Sequence, residues 1–172
     1  MEKNLGEKTF ENVMKAIFLD FDGVIRIPVP TGGANIEAEF CNERKLRVAR
    51  FAMESQARIV ISSDWRHRYD WSGMATLLEP LIPRELLHSD WMTPVLASAH
   101  PDTTIVSPIP RGAEILSWLA RNPDVTDFVI LDDMHSKEFP LMKERLVSCQ
   151  LLDGFTEEKL ELALRLLRGG NE

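Results

Sequence analysis

The sequence predicts an α/β protein, a three-layer sandwich in which helices cover both faces of a mostly parallel central sheet of about five strands. Two observations lead to this prediction. Apolar segments of strand length recur at residues 15–20, 57–61 and 128–131. Segments with the helical spacing of apolar residues lie between and after them. A strand, a helix and a second strand in succession form a parallel βαβ unit, whose crossover is expected to be right-handed.

The first strand delivers two acids. Asp20 ends the apolar run, Asp22 follows two residues later, and Gly23 then permits a sharp turn of the backbone. Ligands of open α/β sheets bind at the carboxyl ends of the strands, so these acids lie where chemistry is expected. One acid can act as a nucleophile while the other takes a different role. The alternative is a strand that simply ends in an acidic turn.

The remaining elements are predicted from turn, cap and apolar-spacing signals. The first half of the chain is predicted to contain a polar leader over 1–15, a loop over 25–35, a helix capped by Asn35 or Asn42 that ends near Ser55, and a strand over 57–63 that ends in two serines. An irregular stretch over 64–110 follows, with a helix near 72–79 and a short strand at 86–88. The rest comprises a helix over 112–120, a strand over 128–133 that ends in two acids, a short strand within 145–151, and a helix capped by Thr156 that ends near Leu167. In the helix over 112–120 we expect Ala113, Leu116 and Leu119 to face inward. The irregular stretch leaves no room for a large separate domain, so we expect 16–172 to form a single domain.

Length and composition limit the possible classes of protein. The chain has 172 residues, of which 44% are hydrophobic and 27% charged, as in an ordinary globular protein. No apolar run approaches the ~20 residues that span a bilayer. The amino terminus is polar and carries Glu2, Glu7 and Glu11, unlike a signal peptide. The net charge of −7 argues against broad, sequence-independent binding of nucleic acid. Cys41 and Cys149 lie far apart, so we expect reduced thiols and a cytoplasmic protein.

Polar groups follow three of the predicted strands. The first strand ends in Asp20 and Asp22, the second in Ser62 and Ser63, and the third in Asp132 and Asp133. Adjacent parallel strands would bring these groups to one rim of the sheet. Each group has a simpler explanation on its own, since serines satisfy backbone groups at strand ends and paired acids occur in solvated turns. Their recurrence at three separate strand ends favours a common site.

The motifs at these positions resemble those of the haloacid-dehalogenase-like (HAD) phosphohydrolases. The first motif is matched by Leu-Asp-Phe-Asp-Gly-Val (19–24), the second by Ile61-Ser62, the third by Arg111 and the fourth by Leu131-Asp132-Asp133. More narrowly, four segments resemble a small, cap-poor HAD subgroup that also occurs in multidomain RNA-repair proteins: Ser-Ser-Asp-Trp-Arg (62–66), Arg-Gly-Ala-Glu-Ile-Leu-Ser-Trp-Leu (111–119), Ile-Leu-Asp-Asp (130–133) and Asp-Gly-Phe-Thr (153–156). The resemblance covers nearly the whole chain and implies a Rossmann-like, HAD-like fold with a minimal cap.

The resemblance implies catalytic roles for four residues. Asp20 would attack phosphorus and form an aspartyl-phosphate, and Asp22 would protonate the leaving oxygen and later help to activate water. Ser62 would bond a phosphoryl oxygen, and Arg111 would supply positive charge. The wider family usually carries Lys at the position of Arg111, and the alternative for Arg111 is an ordinary surface arginine at a helix start. An acid at position 22 favours a phosphatase over a dehalogenase.

Substrate contacts and a metal site complete the expectation. Ser63, Gly23 and Arg66 are predicted to contact the substrate, with Ser63 the alternate of Ser62. Acids brought together at the rim require a cation, and by resemblance it is Mg²⁺, which prefers oxygen ligands. Its ligands would be the carboxylates of Asp20 and Asp133 and the backbone carbonyl of Asp22. Asp132 would orient a metal-bound water or Arg111, although either member of the acid pair could be the direct ligand.

The substrate and the competing functions stay open at this point. Short insertions suggest an open cleft, and the RNA-repair resemblance favours a nucleotide or a terminal phosphate of nucleic acid, with a small phosphometabolite as the alternative. A basic rim of Arg26, Arg66, Arg68 and Arg111 would favour nucleic acid. Trp65 could line the pocket or anchor the core. From another class, the chain could be a HAD-fold binding module without efficient catalysis, although unpaired carboxylates at one site destabilise a fold without a metal.

Overall fold

A computed structural model describes residues 14–30, 36–99 and 106–168. The elements, in chain order, are β1 (Met14–Leu19), β2 (Arg26–Pro30), β3 (Ile36–Phe40), α1 (Asn42–Ser55), β4 (Ala57–Ile61), α2 (Trp71–Leu78), β5 (Leu87–Met92), β6 (Ala97–Ala99), β7 (Val106–Pro108), α3 (Arg111–Arg121), β8 (Val125–Asp132), β9 (Leu146–Ser148) and α4 (Glu157–Leu167). The leader expected over 1–15 lies mostly outside the described residues, and its last two positions belong to β1.

The central sheet has five strands in the order β5-β4-β1-β8-β9, and every neighbouring pair is parallel. This confirms the predicted α/β fold and places β1 at the centre. Leu19 of β1 pairs with Ile61 of β4 on one side and with Leu131 of β8 on the other. The residues that follow these three leucine and isoleucine positions therefore lie side by side at one rim of the sheet.

Two apolar clusters cover the two faces of the sheet and make the three layers. Side chains alternate along a strand, so Ile17 and Leu19 face the cluster formed with α1, α2 and α4, while Ala16 and Phe18 face the cluster formed with α3. On the α3 side the rings of Phe18 and Trp118 meet edge to face, with centroids 5.3 Å apart. Burial of β1 on both faces explains why it reads as a continuous apolar run.

Two small antiparallel pairs, β2–β3 and β6–β7, are inserted near the carboxyl ends of the central strands. The segment expected to be loop and helix start is therefore partly a hairpin, and Asn35 lies outside the described residues. Proline fits here because each strand of a two-stranded sheet is an edge strand. The helix that follows starts at Asn42, with Cys41 as its N-cap, so the expectation that Asn42 is the cap is off by one residue. These insertions are small, as a minimal cap requires.

The orientation of α3 differs from the prediction. Ile115 and Trp118 are fully buried, whereas Leu116 is 39% exposed and Ala113 is only partly buried. Of the three residues expected to face inward, only Leu119 packs against the core. In α4, by contrast, the side chain of Thr156 accepts a hydrogen bond from the backbone of Lys159, as predicted. No helix among the described residues has the length and apolar character needed to cross a membrane.

Candidate active site

Three carboxylates meet at the rim where β1 and β8 end. Asp20, Asp132 and Asp133 each place a carboxylate oxygen within 4.8 Å of the other two. Asp132 has no exposed surface and Asp20 is only 4% exposed. Like charges at this spacing and depth repel strongly, because burial removes the screening of water. The cluster therefore requires positive charge nearby.

Arg111, the first residue of α3, supplies part of that charge. Its Nη1 lies 2.7 Å from Asp20 Oδ2 and 2.7 Å from Asp132 Oδ2, so one guanidinium nitrogen bridges the two acids. Its Nη2 lies 3.2 Å from Asp64 Oδ1. Although burial alone would lower the pKa of Arg111, the two buried acids raise it, and the side chain stays cationic. The structure thus places Arg111 against two of the three carboxylates, and its role as the third-motif cation stays a prediction.

The environments of the two adjacent acids differ. Burial, assisted by the charge of Asp20, raises the pKa of Asp132 to about 7, although Arg111 opposes the shift. The other oxygen of Asp132 accepts a hydrogen bond from the backbone of Met134 at 2.9 Å. Burial and the charge of Asp20 also raise the pKa of Asp133. Asp132 is thus committed to Arg111 and a backbone amide, while Asp133 is the acid of the pair that Arg111 does not bond.

Gly23 allows Asp133 to approach the loop after β1. Gly23 has φ of +68°, a conformation that favours glycine, and a Cβ atom built there would lie 2.4 Å from Asp133 Oδ2. Any larger residue would push the carboxylate away from the rim. The absence of a side chain at Gly23 thus leaves room for Asp133, and the substrate contact predicted for Gly23 stays a prediction.

The two serines after β4 have different surroundings. Both are buried, and the Oγ of Ser62 has no hydrogen-bond partner. The Oγ of Ser63 accepts from the backbone of Trp65 at the start of the 3₁₀ turn at 64–67. A buried hydroxyl without a partner is unfavourable unless a ligand or water satisfies it. Ser62 is therefore the serine whose hydroxyl is uncommitted, while Ser63 serves the turn.

Asp22 stands apart from the carboxylate cluster. Its side chain is 46% exposed, and Oδ1 lies 2.6 Å from Nη1 of Arg26. Its Oδ2 accepts a hydrogen bond of 2.8 Å from Nε1 of Trp65. The indole packs among Phe40 and Tyr69, which fixes its orientation. Sequence reasoning did not pair either residue with Asp22, although the four-residue spacing to Arg26 and the position of Trp65 after the second motif were available signals.

Arg66 is not placed where a substrate could reach it. Its side chain has no exposed surface and is ion-paired with Glu114 of α3. Its Nη1 donates to the carbonyl of Ser62 at 2.7 Å and its Nε to that of Thr93 at 3.2 Å. The second oxygen of Glu114 accepts from the backbone of Leu96 at 3.0 Å. Arg66 therefore holds the loop after β4 in place, and the structure does not support its predicted substrate contact.

Two clefts open on either side of Asp64 at this rim. The first, of about 410 Å³, includes Arg111, Glu114 and Met134 in its lining. The second, of about 420 Å³, is lined by Asp22, Arg26, Asp64, Trp65 and Arg68. Arg111, the cation that bridges the acids, therefore lines one cleft, and Asp22, the candidate acid, lines the other.

Comparison with known proteins agrees with this geometry. The family model described as "HAD domain in Swiss Army Knife RNA repair proteins" matches residues 16–160. No curated protein and no solved structure matches the chain. The family supports hydrolase activity, and the cluster of Asp20, Asp132 and Asp133 is compatible with the divalent metal that such domains generally use. This match covers most of the chain and agrees with the five parallel strands and the acids at the rim of the sheet. The chain therefore belongs to the family of HAD domains in Swiss Army Knife RNA repair proteins.

Proposed function

We propose that the protein is a Mg²⁺-dependent phosphomonoester hydrolase that works through an aspartyl-phosphate on Asp20. The observation that carries the proposal is the arrangement around this carboxylate. It lies at the end of the central strand and is bonded to the buried cation of Arg111. The neighbouring strand β4 is followed by Ser62, whose hydroxyl has no hydrogen-bond partner. A nucleophile, a cation and a free donor at one rim are the groups that phosphoryl transfer needs.

The donor set at the rim fits Mg²⁺. The described cluster contains three carboxylates and one arginine, so two negative charges are left without a counter-charge when all three acids are ionised. Carboxylate oxygens are the ligands that Mg²⁺ prefers. Asp20 and Asp133 would hold the ion together with the backbone carbonyl of Asp22, while Asp132 orients Arg111. When bound, Mg²⁺ would neutralise charge on the transferring phosphoryl group.

The chemistry of this chain's residues proceeds in two steps. Asp20 attacks phosphorus, so that a carboxylate oxygen–phosphorus bond forms as the bond to the leaving oxygen breaks. Asp22 gives a proton to that leaving oxygen. Water then attacks the aspartyl-phosphate, Asp22 takes the water proton, and inorganic phosphate leaves as Asp20 is regenerated. Throughout, Ser62 donates to a phosphoryl oxygen and Arg111 offsets the negative charge.

For the substrate, we propose a nucleotide or a terminal phosphate of nucleic acid. Two observations support this choice over a small phosphometabolite. The described insertions near the rim are two-stranded pairs of three to five residues per strand, which leave the clefts open to a long substrate. The matching family is also described from RNA-repair proteins.

The test is phosphate release from a panel of an aryl phosphate, a sugar phosphate, mononucleotides and oligonucleotides phosphorylated at the 5′ or the 3′ end. The native chain is compared with Asp20→Asn, and with Asp124→Asn as a control that removes an exposed acid before β8. We expect release that requires Mg²⁺ and Asp20 and survives in the control. A native chain without activity, or an equally active Asp20→Asn, would refute the mechanism and favour a binding module.

A further inference from the structure

The cleft on the Asp22 side has a composition that the proposed reaction does not require. Arg26, Trp65 and Arg68 line it together with Asp22 and Asp64. Because Asp22 would protonate the leaving oxygen, the leaving group must lie on this side of the phosphoryl group. We propose that this cleft is a leaving-group subsite that binds a nucleotide through a second phosphate, held by Arg68. The inference rests on the proposed function, since the role of Asp22 locates the leaving group.

The charges around the cleft single out Arg68. Asp22 is paired with Arg26 at 2.6 Å, and Asp64 lies 3.2 Å from Arg111 and 3.4 Å from Arg66. Arg68 is exposed, and no carboxylate in the part of the chain that the structure describes lies within ion-pair distance of it. It is therefore the lining residue whose positive charge is not already matched. A guanidinium binds phosphate oxygens through paired hydrogen bonds, which suits a second phosphate.

The wall of the cleft suits the rest of a nucleotide. Trp65 is stacked on Tyr69, with centroids 5.6 Å apart and planes 11° apart, and its indole nitrogen is bonded to Asp22. The guanidinium of Arg26 lies over the indole, 5.3 Å from the ring centroid. Aromatic rings and arginine planes are the surfaces on which nucleobases stack. A nucleotide offers both a planar base and a second anion, whereas a sugar phosphate with one phosphate offers neither.

The first test measures selectivity for the second phosphate. Thymidine 3′,5′-bisphosphate is compared with the thymidine 3′- and 5′-monophosphates, and the readout is the ratio of kcat/KM between bisphosphate and monophosphate. We expect Arg68→Gln to lower this ratio about fivefold, as for loss of an exposed ion pair, and added salt to lower it in the native chain. The matched control is Arg168→Gln, an exposed arginine at the end of α4, which should keep the native ratio. An unchanged ratio in Arg68→Gln overturns the inference.

The second test separates failure of the subsite from failure of the proposed function. Binding of thymidine 3′,5′-bisphosphate is measured by calorimetry with Asp20→Asn and with Asp20→Asn/Arg68→Gln, both in Mg²⁺. We expect about fivefold weaker binding in the double variant. If both variants bind equally while the native chain hydrolyses phosphomonoesters, the subsite is wrong and the function stands. If binding depends on Arg68 but the native chain releases no phosphate, the cleft binds nucleotides, but it is not a leaving-group subsite and the proposed function is wrong.

Discussion

Replacing Asp133 with Asn should have opposite effects on thermal stability with and without Mg²⁺. Asp133 shares a cluster of three carboxylates, all within 4.8 Å of one another, and Arg111 bridges the other two. The substitution removes one negative charge from the cluster and keeps the size of the side chain. It therefore relieves repulsion in the metal-free protein and weakens the proposed site for the ion.

The size of both effects follows from this geometry. Two charges at the 4.8 Å limit repel by roughly 3 kcal/mol at an effective dielectric constant of about 20. Because Asp133 is partly exposed, solvent screens much of this repulsion. We therefore expect the free energy of unfolding of metal-free Asp133→Asn to exceed that of the native chain by about 1 kcal/mol. In the native chain, Mg²⁺ at about a hundred times its Kd adds about 2.7 kcal/mol by mass action. For a chain of this length that corresponds to roughly 5–10 °C in Tm.

The assay is thermal unfolding followed by circular dichroism above neutral pH, in EDTA and in about 10 mM Mg²⁺, a large excess over the expected Kd. Asp133→Asn should have the higher Tm in EDTA and the lower Tm in Mg²⁺, so the order of the two proteins reverses. Asp124→Asn should behave as the native chain in both conditions. If Mg²⁺ does not raise the Tm of the native chain, or raises the Tm of Asp133→Asn by the same amount, Asp133 does not hold the ion.

Three further predictions concern charge, backbone and thiol chemistry. Arg111→Met should lower the free energy of unfolding in EDTA by about 3–5 kcal/mol, because buried carboxylates lose their cation; a urea titration that shows under about 1 kcal/mol would contradict this. Gly154→Ala should lower the free energy of unfolding by about 1–3 kcal/mol. Gly154 has φ of +64°, and a Cβ atom there would lie 2.6 Å from the carbonyl oxygen of Val24. An unchanged midpoint of urea unfolding would contradict this. Burial raises the pKa of Cys149 to about 12, so at pH about 8 a thiol reagent should modify Cys41 first and Cys149 only on unfolding, as peptide mass mapping would show.

The strands and their polar ends were predictable from the sequence because parallel strands buried on both faces are apolar throughout. The residues after β1, β4 and β8 could therefore be assigned to one rim, and the register confirms that they lie side by side. The hairpin β2–β3 was missed, since prolines argue against a strand in a larger sheet.

The buried face of α3 includes charged residues, which a selection of apolar residues leaves out. Arg111, Glu114, Ile115 and Trp118 follow the spacing i, i+3, i+4 and i+7, so they occupy one face of the helix. Selecting only aliphatic residues assigned the exposed Leu116 to the core instead. That a charged residue belongs to the buried face becomes apparent only once its acid partners on other strands are known.

The burial of Arg66 could not be predicted from local sequence. Its partner Glu114 lies 48 residues away on the other side of the sheet rim. The adjacency of Arg66 to the second motif suggested a substrate contact, and only the tertiary structure shows that the guanidinium is enclosed. The same holds for Trp65, whose indole could equally have served the core until its bond to Asp22 was seen.

The first turn of α3 carries two buried ion pairs, one through Arg111 and one through Glu114, and they reach different strand ends. Sliding or tilting this helix would break both pairs, each at a cost of about 3–5 kcal/mol. The start of α3 therefore forms a rigid wall of the cleft that Arg111 and Glu114 line. A leaving group of a different size would therefore have to be accommodated by the β2–β3 and β6–β7 insertions and not by a movement of α3.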